Sequence, residues 1–138
     1  MKKIIKSIIK IIIGICYFAF FYWLCLFSSS SFYGDFNLYK TVRSDSGEYY
    51  ANIYKHLPTS PISIVQILGG NKYFTVLYNK KGEELWRVSY FDYIDEESVF
   101  DMMSFPDDVG MDGNFICLTN HGLVGYDISK TIRNHKLQ

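Results

Sequence analysis

IIIGICYFAFFYWLCLF, residues 11–27, is an unbroken apolar run of 17 residues, and nothing else in the sequence constrains the fold as strongly. At 1.5 Å per residue, a helix of that length covers about 25 Å. Starting the stretch at Ile4 extends it to about 36 Å, enough to cross a hydrocarbon core of ~30 Å with some tilt. Lys2, Lys3, Lys6 and Lys10 crowd its N-terminal side, and no acidic residue precedes Asp35. Lys6 and Lys10 lie four apart on one helical face, so their alkyl stems can follow lipid while the ammonium groups reach the headgroups. Tyr22 and Trp23 put aromatic rings near the other end, the level at which such rings favour an interface. A helix of a soluble core has no need to be apolar on every face.

A cleaved signal peptide is the nearest rival. Its apolar core normally runs ~7–15 residues before a small-residue site, for which Ser28 and Ser30 are candidates, but this run is longer and bulkier. Lipid attachment at Cys25 is disfavoured because Leu24, the residue before it, is not small. The expectation is an uncleaved signal anchor crossing the bilayer once through residues 11–27. Basic residues flank only the N-terminal side, so residues 1–10 stay cytoplasmic and the C-terminal body crosses. In a bacterium this means an inner-membrane protein with a periplasmic domain.

The formal charge of the whole chain is zero, but it is unevenly spread. From Ser28 onward there are ten basic and fourteen acidic residues, a net of about −4. Eight of the carboxylates fall in DYIDEESVFDMMSFPDDVGMD, residues 92–112, with no Lys or Arg among them. An acidic body repels phosphate and argues against nucleic acid as a partner. Cys16 and Cys25 belong to the apolar run and Cys117 is alone in the body, so no disulfide can form within the domain.

After SSSSFYGDFN comes a body of the size of one small domain. Residues 28–39 read as a tether and residues 40–138 as a β-rich extracytoplasmic domain. DSG separates LYKTVR from EYYANIYKH, GGN separates ISIVQIL from KYFTVLY, NKKG precedes EELWRVSYF, and NHG joins NFICLT to LVGYDI. Gly- or Asn-containing turns between β-branched and aromatic runs are the hairpin signature. Alternation puts Trp86, Val88 and Tyr90 on one face of their strand. These signals predict an antiparallel meander of six or seven strands. One short helix interrupts it at DEESVFDMMSFP, with Asp95 as N-cap and carboxylates complementing its positive end.

Motifs with chemistry are sparse. DVGMDGNF has carboxylates and a glycine at some positions of a calcium loop, but Gly110 stands at its third position and Thr119 at its twelfth, where ligands belong. Cys117 and His121 are four apart across a strand and its turn. The pair lacks a third orienting group in sequence, and a lone strand thiol usually packs as a small hydrophobe. His56 and His135 have no metal-like spacing with any partner. No cofactor is expected, and no catalytic or metal-binding set is expected either. Asp92 and Asp127 would have to meet in space for a carboxylate pair to exist.

NKKGEELWRVSYFD and RSDSGEYYANI resemble hairpins of quinoprotein-type β-propeller blades, but a propeller needs at least four blades and this body is too short. The whole layout resembles small single-pass membrane-anchored proteins of Gram-negative bacteria. A basic start, one span, a DSGEYYANIY hairpin and a closing ICLTNHGLVGYDI hairpin carry that likeness. Some of those proteins are regarded as immunity proteins beside secreted toxins, so the resemblance implies a partner-binding, non-enzymatic role. Asp107, Asp108 and Asp112, in a Gly-containing loop outside the helix cap, are the candidate contacts for a basic protein partner. An envelope structural or accessory protein is the alternative, in which the apolar helix itself makes contacts.

Overall fold

The computed structural model describes residues 2–25 and 29–129. Outside that range lie the last residues of the expected span, Ser28, His135 and the C-terminal end of the expected domain. The apolar run forms α1, Lys2–Cys25. Its segment Lys3–Leu24 is long and apolar enough to cross a membrane, and none of it is buried against the body.

Four antiparallel strands follow in sequential order: β1 (Leu38–Arg43), β2 (Tyr49–Lys55), β3 (Tyr73–Asn79) and β4 (Glu84–Arg87). A separate antiparallel hairpin, β5 (Asn114–Thr119) and β6 (Gly122–Asp127), closes the domain. The expected mainly-β body behind an N-terminal apolar helix is what forms, as two sheets rather than one meander. The DSG, NKKG and NHG turns connect the strand pairs they were expected to connect. Gly47, Gly82 and Gly122 in those turns take φ of 75°, 82° and 101°, the left-handed region that glycine enters without steric cost.

ISIVQIL, expected as a strand, is instead helical: it lies in α2, Pro61–Leu68. Ser60 and Ser63 cap its start reciprocally, Pro61 suits the first turn, and Gly69 with Gly70 ends it. Those local signals outweigh the β propensity of three isoleucines and a valine. The second helix is also corrected. It is a 3-10 turn, Glu97–Met102, preceded by extended Glu96 with no side-chain cap, so Asp95 is not an N-cap. The expected face of Trp86, Val88 and Tyr90 breaks as well. Trp86 meets Phe115 and Tyr126 as well as the cluster of Tyr54, Phe74, Val76 and Val88, and the strand ends at Arg87, so Val88 and Tyr90 lie beyond it.

β3 is buried on both sides, which is why YFTVL reads as a nearly continuous apolar run. One side packs Tyr73 and Leu77, with Ala51 and Ile53 of β2, against Phe100, Phe115 and Cys117. The other packs Phe74 and Val76 with Tyr54 and Val88. Two isolated bridges, Tyr73 with Ile94 and Ser104 with Ile116, tie the long connection after β4 to both sheets. The stretch before β1 is also held. Tyr33 packs on Tyr54 and Phe74, Arg87 Nη1 donates to Ser30 O at 2.9 Å, and Asn37 Nδ2 donates to Lys55 O at 2.8 Å.

Thr75 faces the core, 1% exposed, and its Oγ1 has no hydrogen-bond partner among the described residues. An unpaired buried hydroxyl costs about 1–3 kcal/mol. Thr75→Val keeps the branched shape and removes the hydroxyl, so it is expected to raise unfolding stability by about 1 kcal/mol or more. Urea unfolding of the two proteins checks this; a less stable variant would show that the hydroxyl is in fact bonded.

Candidate functional site

The eight carboxylates of residues 92–112 do not form one patch. Asp92 accepts from Ser89 Oγ at 2.6 Å and lies 2.6 Å from His121 Nδ1. The Ser89 hydroxyl, followed by His121, holds Asp92 below the usual carboxylate range against the opposing effect of burial. Glu97 accepts from Tyr39 at 2.5 Å and Tyr73 at 3.0 Å, and those two hydroxyls hold it low in the same way. Asp101 pairs with Lys40 at 3.1 Å on the surface. These acids have intramolecular partners, which is a sufficient reason for them to be there.

The three loop aspartates divide further. Asp108 Oδ2 accepts the Phe105 backbone N–H at 2.6 Å, and the Asp108 backbone N–H returns to Phe105 O at 3.0 Å. Asp108 is therefore half-buried and braces its own turn, so it belongs more to the scaffold than to the surface. Asp107 is exposed and accepts from Ser46 in the β1–β2 turn. Asp112 is exposed at φ 47°, a left-handed position that Asp and Asn tolerate better than most residues. Backbone bonds from Met111 to Asp108 and from Gly113 to Pro106 close the loop on itself, and the Ile128 N–H, just after β6, donates to Gly113 O and ties it to the hairpin. Its tip presents Asp107, Asp112 and a fully exposed Val109.

The strands fix where this loop sits. β2 runs from the β1–β2 turn to α2, and its seven residues span about 20 Å. Ser46 holds the acidic loop at the turn end, and Ser44, Asp45 and Asp108 line one open cleft of about 300 Å³ beside it, together with Arg43 and Asp101. At the other end, Trp23 Nε1 of α1 donates to Thr59 O at 3.2 Å, just before α2. The acidic loop and the apolar helix thus occupy opposite ends of the sheet. Lys6 and Lys10 are on the far part of α1, and Tyr22 and Trp23 are near its junction with the body.

Other candidates stay apart. Asp127 pairs opposite Asn114, whereas Asp92 meets the β5–β6 turn, so the two lie at opposite ends of that hairpin. Among the described residues no three His, Cys, Asp or Glu side chains converge on a metal position. Cys117 is buried with Phe115 and Thr119 on one strand face, and burial, aided by the Asp92 charge, pushes its thiol up to about 12.

On the Phe74–Val76 side of β2 and β3, a network of tyrosines and an asparagine borders the smaller core cluster and has no counterpart among the expectations from sequence. Tyr50 and Tyr78 stack with centroids 5.2 Å apart. Thr41 donates to Asn52 at 2.8 Å, Asn52 to Tyr54 at 3.0 Å, and Tyr54 and Tyr78 hydroxyls lie 3.2 Å apart. Burial, followed by the Tyr54 hydroxyl, raises the Tyr78 phenol above its ordinary range. The period-2 spacing of Tyr50, Asn52 and Tyr54 was the available signal. No curated protein and no solved structure matches this chain. A family model matches residues 3–132, from inside α1 to beyond β6, and the chain belongs to that family of unknown function, DUF6201.

Proposed function

We propose that this chain is a membrane-anchored recognition module. α1 holds it in the bilayer, the body stands on the far side, and the loop 106–113 meets a basic protein. One observation carries the reading: an apolar, span-length helix leaves one end of the sheet while a self-bonded acidic loop projects from the other. A braced loop on a β scaffold is a common recognition surface. The net charge of about −4 on residues 28–138 would steer a basic partner and make association sensitive to salt. The lysines before the span favour a cytoplasmic N-terminus and hence, in a bacterium, a periplasmic body. Neutralising a toxin that acts there is the most specific form of this binding.

The test uses the full chain in detergent as bait for an envelope extract at low and moderate salt, beside an Asp107→Asn/Asp112→Asn variant. Both substitutions keep an amide oxygen as acceptor, and Asn accepts the positive φ of position 112. Asp108 is left intact because its carboxylate braces the turn. The expected result is a partner whose affinity falls about tenfold or more in the variant and falls with salt, at an unchanged melting temperature. Equal capture by both proteins at both salt concentrations would remove the loop from the binding site.

A further inference from the structure

α2 is apolar on the side that the body does not use. Ser63 is buried beneath it, with Ile62, Gln66 and Ile67 half-buried, while Ile64, Val65 and Leu68 are 45%, 63% and 82% exposed. Their spacing of one and then three residues puts these three side chains on one continuous outer strip. An eight-residue helix that shows water such a strip has an unusual surface for a soluble domain.

Its surroundings indicate what covers it. The C-terminal end of α1 packs against α2, and the Trp23 indole donates to Thr59, two residues before Pro61. If α1 crosses a bilayer, Trp23 lies at the level of the headgroups, and α2 lies at that level too. Lys72 is exposed in the short connection between α2 and β3, whereas the ammonium of Lys55, at the end of β2, lies over the Tyr39 ring. Lys72 brings a positive charge to the same end, complementary to anionic headgroups. Phe32 and Phe36, soon after α1 in the chain, are 52% and 63% exposed and in contact with each other at 5.2 Å.

We propose that α2 is an interfacial helix, with Ile64, Val65 and Leu68 inserted into the outer boundary of the bilayer that α1 spans. This rests on the anchor reading given above and extends it. The body does not hang from a flexible leash. It is seated on the membrane through a second contact, which fixes the acidic loop pointing away from the lipid.

Three chains test this, each with Cys16→Ala and Cys25→Ala and one introduced cysteine carrying an environment-sensitive NBD label, reconstituted in phosphatidylethanolamine/phosphatidylglycerol nanodiscs. The labelled positions are Phe18→Cys in α1, Leu68→Cys in α2, and Val109→Cys at the acidic tip, and buried Cys117 is left in place. Lipids carrying a doxyl quencher near the headgroup or deep in the acyl chain report depth. The expected pattern is deep quenching at Phe18, several-fold stronger quenching at Leu68 by the shallow than by the deep quencher, and none at Val109. Quenching at Phe18 with Leu68 as unquenched as Val109 would overturn the interfacial role and leave the anchor intact. An unquenched Phe18 position would overturn the anchor and this inference together. A Leu68 label shifted to the blue but untouched by either quencher would show the strip covered by protein, and that also overturns it.

Discussion

Phe115→Ala is expected to destabilise the body by about 3–5 kcal/mol, the range for emptying a fully buried aromatic site. Phe115 is completely buried on β5 and is the ring through which the closing hairpin meets the rest of the domain. Its centroid lies 5.6 Å from Trp86 of β4 and 5.6 Å from Phe105, so one side chain joins three separate segments. Among the described residues the two sheets share no strand pairing, so this packing, with the Trp86–Tyr126 stack and the bonds of the β5–β6 turn to Asp92 and Tyr93, is what unites them. With total stability for such a domain of ~5–15 kcal/mol, the loss would remove a large fraction of it. Denaturant unfolding of the full chain in detergent measures the effect. Leu123→Ala on β6, where the side chain is 74% exposed, should move stability by no more than about 0.5 kcal/mol and serves as the control. A Phe115→Ala cost below about 1 kcal/mol would mean that the hairpin does not dock on the sheet as described.

The turns that build this arrangement were plain in the sequence, because DSG, NKKG and NHG encode backbone geometry locally. α2 was not plain. Its eight residues are too few for helical and strand periods to separate, and its isoleucines favour a strand on propensity alone. Ser60, Pro61 and Ser63 held the better signal, since a reciprocal cap depends on spacing and not on hydrophobicity. The 3-10 turn misled in the opposite way. A cluster of acids before an apolar stretch resembles a capped helix, but Glu97 turns to Tyr39 and Tyr73, which come from distant strands. The candidate site was legible as composition and illegible as roles. Asp107, Asp108 and Asp112 look equivalent in sequence, and only the Phe105 N–H shows that Asp108 is occupied. That the loop lies opposite the apolar helix follows from strand order and from the Ser46 contact, both of them long-range.

Cys117 should be alkylated about a thousandfold more slowly in the folded chain than in the unfolded one. A thiol reacts as its thiolate. At pH 8, an ordinary thiol is ionised to roughly one part in ten, whereas one raised to about 12 is ionised to about one part in ten thousand. Burial between Phe115 and Thr119 on the inward face of β5 is the main cause, and the nearby negative charge of Asp92 adds to it. Iodoacetamide modification of a Cys16→Ala/Cys25→Ala chain, with and without urea, followed by mass spectrometry, gives the ratio directly. The same shift has a sign in stability. As pH rises through the ordinary thiol range, the unfolded chain releases this proton first, so the folded state loses about 1.4 kcal/mol per pH unit from this group until its own pKa is reached. Stability should therefore fall above about pH 9, and Cys117→Ala should flatten that part of the profile. Native alkylation as fast as that of the unfolded chain would mean an exposed, ionised thiol and would reopen a nucleophilic role for Cys117. A thousandfold protection instead makes Cys117 part of the same packed layer as Phe115, serving to hold the hairpin on the sheet.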